Sequence, residues 1–157
     1  MGIPISSIGL KVSWAASTTG TTRPTSGYKV LHNLKEFPNT NTAPNTVAAE
    51  SFDNETIIPH VALLKDLGGA LALRANLNNE VITEWEELCG AYETASAAGK
   101  AVWLCVDIPK IEKAFFYPIE PAPFSFSGAV ANGLLEQDLY FTVNGEPEIG
   151  EKPTYAA

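Results

Sequence analysis

Apolar and polar residues alternate in short runs along most of this chain, and the runs mark out eight candidate strands. Leu10, Val12 and Trp14 alternate with Lys11, Ser13 and Ala15, the period-2 pattern of a half-buried strand. Tyr28–Phe37 reads as a second strand whose phase slips between Leu31 and Leu34, which predicts a bulge. Val47–Asn54 is a third. Ala70–Leu77 is a fourth, with Leu71, Leu73, Ala75 and Leu77 on one face and Arg74 and Asn76 on the other. Lys100–Ile108 is largely apolar on both faces and predicts a strand covered on both sides. Ala114–Ile119 reads as a short strand, after which Pro118, Pro121 and Pro123 break the path before Phe124–Val130 resumes it. Gln137–Val143 ends the series with Leu139, Phe141 and Val143 inward.

One segment changes period. Val81, Ile82, Trp85, Leu88, Cys89 and Tyr92 recur at helical spacing and predict one amphipathic helix over Asn79–Ala98. Asn78 or Asn79 supplies an N-cap, and Gly99 suits the C-terminal stop. Glu80, Glu84, Glu86 and Glu87 load the early turns with the sign the helix dipole prefers, and Glu84, Glu86 and Glu87 are expected to point to water.

The connecting segments are uneven. The arm over residues 1–9 is uncharged and carries Ile3, Ile5 and Ile8, which find no place in a strand. Residues 38–46 form a polar loop with two prolines and three asparagines. Between the third and fourth strands runs a linker containing Pro59 and the Gly68–Gly69 pair. Its apolar Ile57, Ile58, Val61, Leu63 and Leu64 must pack on something. Residues 145–157 form an acidic, proline-containing tail. Together these elements predict one domain over residues 1–157, mainly β with one α-helix: a β-sandwich or barrel of seven to eight strands flanked by the helix.

The 157 residues suffice for one core, and the composition is near the globular average. No apolar stretch approaches the ~20 residues of a spanning helix. The first residues lack the pattern of a secretory signal, so folding in a cytoplasm is the expectation. Net charge is −8, and it is uneven: residues 1–78 carry six Lys and Arg against five Asp and Glu, and the remainder four against thirteen. Such a chain cannot bind nucleic acid through a phosphate-neutralising patch.

Candidate chemistry is sparse. Cys89 and Cys105 are too few and too far apart for a disulfide framework or a zinc site, and they read as buried thiols. His32, placed in a strand, and His60, placed in a loop, lack metal-ligand spacing to any partner, so neither a metal nor a cofactor is expected. No nucleophile elbow, phosphate loop or dinucleotide fingerprint occurs, so no enzyme is expected. Phe115, Phe116, Tyr117, Phe124 and Phe126 could form a sugar-stacking platform. A monomeric β-sandwich adhesin or carbohydrate-binding module is therefore the alternative reading.

The succession of elements carries more than any single motif. A strand, a long polar loop and an acidic strand lead to a linker ending in Lys65–Gly69 (KDLGG). An alternating strand and an acidic-start helix follow, then Trp103–Ile108 (WLCVDI), Phe124–Val130 (FSFSGAV) and Leu139–Val143 (LYFTV). This order, over roughly residues 10–150, resembles the bacteriophage tail tube proteins, whose relatives include the tubes of contractile tails and of type VI secretion systems.

The resemblance implies a virion protein assembled in the host cytoplasm. Six copies would form a ring, rings would stack into a hollow conduit for DNA, and strands of neighbouring subunits would join into one large barrel around the bore. Tape measure, tail terminator or baseplate proteins are the implied partners, and DNA passes without specific binding. It makes Ile3, Ile5, Ile8, Pro38, Asn39, Asn41, Asn45, Ile57, Ile58, Leu63 and Leu64 candidates for subunit or ring contacts. Glu50, Asp53 and Glu136 become candidates for the bore. Lys29, Lys35 and Arg74 lie on polar strand faces and are expected to pair with carboxylates across subunits.

Overall fold

A computed structural model describes residues 2–53, 55–65 and 69–156. Asn54 at the end of the expected third strand and Gly68 of the expected glycine turn lie outside the described residues. The strands are β1 (Lys11–Ala16), β2 (Ser26–Leu31), β3 (Leu34–Glu36), β4 (Thr46–Ala48), β5 (His60–Ala62), β6 (Ala70–Asn76), β7 (Val102–Asp107), β8 (Lys113–Pro121), β9 (Glu136–Val143), β10 (Glu148–Glu151) and β11 (Thr154–Tyr155). The helix α1 (Asn79–Ala97) lies between β6 and β7.

One sheet runs in the order β11-β2-β1-β7-β8-β9-β6-β3, with β10 added beside β8, while β4 and β5 form a separate two-stranded sheet. All pairings are antiparallel except β11 on β2. The protein is thus mainly β with one helix, and its large sheet curls into a half-barrel.

The curl is visible in the chain path. β2 lies near one end of the sheet and β3 at the other, yet only His32 and Asn33 separate them. The expected single strand with a bulge is therefore two strands, divided where Asn33 takes a left-handed backbone conformation (φ 64°). Asn is among the few non-glycine residues that adopt it readily. The phase slip at Leu31–Leu34 was the trace of that division.

Inside the curl, Val12, Trp14, Leu31, Leu73, Val102, Leu104, Ile119, Leu139 and Phe141 form one core with Val81, Trp85, Leu88 and Ala95 of α1. The helix fills the concavity because its apolar stripe matches the inward residues of β1, β6, β7, β8 and β9. Asn78 caps it, its side chain accepting the Val81 N–H at 3.0 Å. Gly99 ends it at φ 71°. The Trp85 indole donates to the Ala122 carbonyl at 2.9 Å, so the largest core side chain leaves its one polar atom satisfied.

The other face of β1, β2, β7 and β8 carries a second cluster of Ala15, Tyr28, Trp103, Cys105, Ala114 and Phe116. It accounts for β7 being buried along its whole length, as its two apolar faces require. The residues expected to form a tail cover part of this cluster. β10 pairs with β8 and β11 with β2, Tyr155 donates to Asp107 at 2.6 Å, and Lys152 pairs with Asp107 at 2.9 Å. Polar composition concealed a docked segment whose Lys152 and Glu148 meet Asp107 and Arg23 on the body.

Two further expectations are corrected. β8 does not end at Ile119 but runs through Pro118 to Pro121. β10 pairs with residues 113–116 and β9 with residues 119–121 on the same edge, so Pro118 sits where the partner changes. Its carbonyl accepts from Asn144 at 3.0 Å, and its missing N–H faces the seam. Phe124–Val130 is not a strand. It is held instead by the buried Gln137, whose amide donates to the Ser125 carbonyl at 2.5 Å and accepts from the Ser127 N–H at 3.3 Å.

Candidate assembly surface

The third expected strand is reduced to Thr46–Ala48, and its partner His60–Ala62 was read as linker. Val47 pairs with Val61, and the Leu63 N–H bonds to the Asn45 carbonyl, extending the ladder by one step. At the other end the Ala49 N–H bonds to the Pro59 carbonyl at 2.8 Å. Beyond Ala49 the connection runs through the polar Glu50, Ser51 and Asp53. Every residue of β4 and β5 is exposed, and neither strand packs into either core cluster.

This hairpin gathers apolar side chains that a lone chain leaves in water. Val47, Phe52, Ile57, Ile58, Val61, Leu63 and Leu64 are all exposed, Leu64 at 89% and Ile57 at 74%. Of these, Phe52 and the inclusion of Val47 and Val61 in one small sheet escaped the sequence reading. The pairing of Val47-Ala48 with His60-Val61 was too short to register. Ile3, Ile5 and Ile8 are exposed too, at 86%, 47% and 85%. Pro38 is half-buried, whereas Asn39, Asn41 and Asn45 are exposed. The loop bearing them is tied to the body where Thr40 and Tyr117 share a hydrogen bond at 2.8 Å. A second exposed group, Phe126, Val130, Leu134 and Leu135, lies between β8 and β9 and had no counterpart in the expectations. The uncharged run over residues 121–135 was its signal.

The acidic candidates separate. Glu50 and Asp53 are exposed in the connection between β4 and β5. Glu136 lies on β9, where Lys35 reaches it at 2.6 Å and Arg74 at 3.4 Å. Hydrogen bonding and the charge of Lys35 hold its carboxyl below the ordinary value. Arg74 also meets Asp138 at 3.5 Å, and Lys29 pairs with Glu87 of α1. All three basic residues expected to seek carboxylates on another subunit thus pair within the chain.

The helix carboxylates do not all point to water. Glu84 accepts from the His32 backbone N–H at 2.8 Å and meets the His32 ring at 2.5 Å, and Glu80 approaches the same ring at 3.5 Å. The hydrogen bond to Glu84 raises the His32 pKa, against an opposing effect of burial. Sequence spacing gave no hint of this trio, because His32 joins the helix pair from across the fold. His60 opens β5 and is exposed. Cys105 is buried and its thiol is pushed up to about 12, chiefly by burial, while Cys89 is half-buried and also raised.

The aromatic run is divided by the pleat. Phe116 is buried with Tyr28 and Cys105, whereas Tyr117 packs from the opposite face with Phe37, their rings 6.1 Å apart. Phe126 alone of the five is strongly exposed. The chain matches no protein-family model and no curated protein.

Proposed function

We propose that this chain is a structural subunit that assembles with copies of itself into stacked rings, as a tube protein of a phage-like tail would. The observation that carries the reading is the β4–β5 hairpin. An isolated two-stranded hairpin is marginal in water, and an exposed apolar one is unfavourable unless a partner covers it. Among the described residues no strand pairs with the outer edges of β4 or β5. Hairpins standing side by side would complete those ladders and bury Val47, Val61 and Ile58 between subunits.

The lining of the bore is then built from hairpins rather than from the edges of the large sheet. Glu50 and Asp53, carried on the same hairpin, give it a negative surface past which DNA slides without adhering. Glu136 is less suited to the bore, because Lys35 and Arg74 already balance it. The arm with Ile3, Ile5 and Ile8 supplies a second contact between copies. A glycan-binding module is the weaker reading, since its platform residues face opposite sides of β8.

The test is sedimentation velocity and negative-stain electron microscopy of the purified protein over a wide concentration range. Rings or tubes with a central hole support the reading. A species that stays monomeric at every concentration, with tail partners added, overturns it.

A further inference from the structure

Two carboxylates on consecutive turns of a helix repel one another. Glu80 and Glu84 stand in that relation on α1, and the chain brings an imidazole rather than a lysine to them. The His32 Nδ1 lies 2.5 Å from Glu84 Oε1 and 3.5 Å from Glu80 Oε1, and the three donor atoms all fall within 4.8 Å of one another. We propose that His32, Glu80 and Glu84 form a binding site for one divalent transition cation of the zinc type. The inference does not depend on the tube reading.

Three features favour a cation over a simple ion pair. The donor set, one imidazole nitrogen and two carboxylate oxygens, suits zinc and its neighbours and is poor for magnesium or calcium, which prefer all-oxygen shells. Bonds of about 2.0–2.1 Å in a tetrahedral arrangement set donor atoms roughly 3.4 Å apart. The pair formed by His32 and Glu80 already has this spacing, and the pair formed by His32 and Glu84 needs to open by less than about 1 Å to reach it.

Both carboxylates are also positioned by further hydrogen bonds. Glu84 is fixed through its other oxygen by the His32 N–H at 2.8 Å, and Glu80 Oε1, the oxygen that faces the ring, also accepts from the Asn33 side-chain amide at 3.1 Å. Asn33 reaches Glu80 from the left-handed residue that divides β2 from β3. Such contacts orient metal ligands and strengthen binding. A bound ion would fasten the start of α1 to the point where the chain crosses between the two ends of the sheet.

The experiment is calorimetric titration of the chelator-treated full chain with zinc at neutral pH, with magnesium and calcium as comparisons, for the wild type, Glu80→Gln and His32→Gln. Glu80 is exposed and outside both cores, so Glu80→Gln retains the fold, which circular dichroism checks. The expected result is one equivalent of zinc bound by the wild type and affinity at least about tenfold weaker in each variant. Zinc should raise the Tm of the wild type and raise it less in Glu80→Gln. Absence of saturable binding at millimolar zinc overturns the proposal. So does equal affinity in Glu80→Gln, or calcium binding as tight as zinc binding.

Discussion

Leu31 and Leu34 stand three positions apart in the chain and near opposite ends of the large sheet, yet both side chains enter the same core. The turn between them is set by Asn33. Asn33→Gly, which keeps the left-handed backbone accessible, should change stability by less than about 1 kcal/mol. Asn33→Val places a β-branched residue at φ 64° and should cost about 2 kcal/mol or more. Urea unfolding of the two variants measures the difference.

The docked C-terminal segment makes stability sensitive to acid through Asp107. Burial alone would raise its pKa, but hydrogen bonds from Tyr155 and Lys152 and the charges of Lys152 and Lys11 outweigh it and hold the value down. A depressed carboxyl contributes stability above its unfolded value of about 4 and loses it as pH falls through the folded value. Asp107→Asn should therefore have a lower Tm than the wild type at neutral pH, and the gap should close in acid. A gap that stays constant with pH would show that the charge is not responsible.

Arg23 stacks over the Phe116 ring at 4.1 Å and closes against the backbone of Gly150. A methyl group at residue 150 would occupy the space of the guanidinium. Gly150→Ala should push the guanidinium, the movable end of a long side chain, off the Phe116 ring and cost no more than about 1 kcal/mol, the low end of overpacking. Combined with Arg23→Ala it should cost less, because the obstructing group is gone. A double-mutant cycle in denaturant reads the coupling.

Assembly and folding should separate at the hairpin. Ile57 and Ile58 are exposed and belong to neither core, so Ile57→Asp with Ile58→Asp should leave unfolding of the isolated chain within about 0.5 kcal/mol per site. Under the tube reading, the same pair should abolish ring formation in sedimentation. Trp85→Ala, in contrast, removes a core anchor and its bond to Ala122, and should cost about 3–5 kcal/mol.

What could be read from sequence followed burial. β6, β7, β9 and α1 pack on long regular faces, and their periodicity gave their limits to within two residues and their inward side chains correctly. Prediction failed where another part of the chain decides the conformation. Pro118 is tolerated only because two strands meet beside it, and FSFSGAV is kept out of a sheet by Gln137. The polar last residues become β10 and β11 because Asp107, Lys152 and Tyr155 match across 44 or more positions. The apolar surplus over residues 57–64 was legible as needing cover, but its hairpin geometry was not, since three-residue strands leave almost no period to detect.

The large sheet ends in β3, of three residues, and β11, of two. Strands that short offer a stranger's backbone almost nothing to zip onto, so the body is guarded against fibrous clumping despite its β-rich make-up. Exposed apolar side chains sit instead on the hairpin, the first residues and the connection between β8 and β9. Under the tube reading, growth would proceed by addition at those chosen points rather than by indiscriminate stacking.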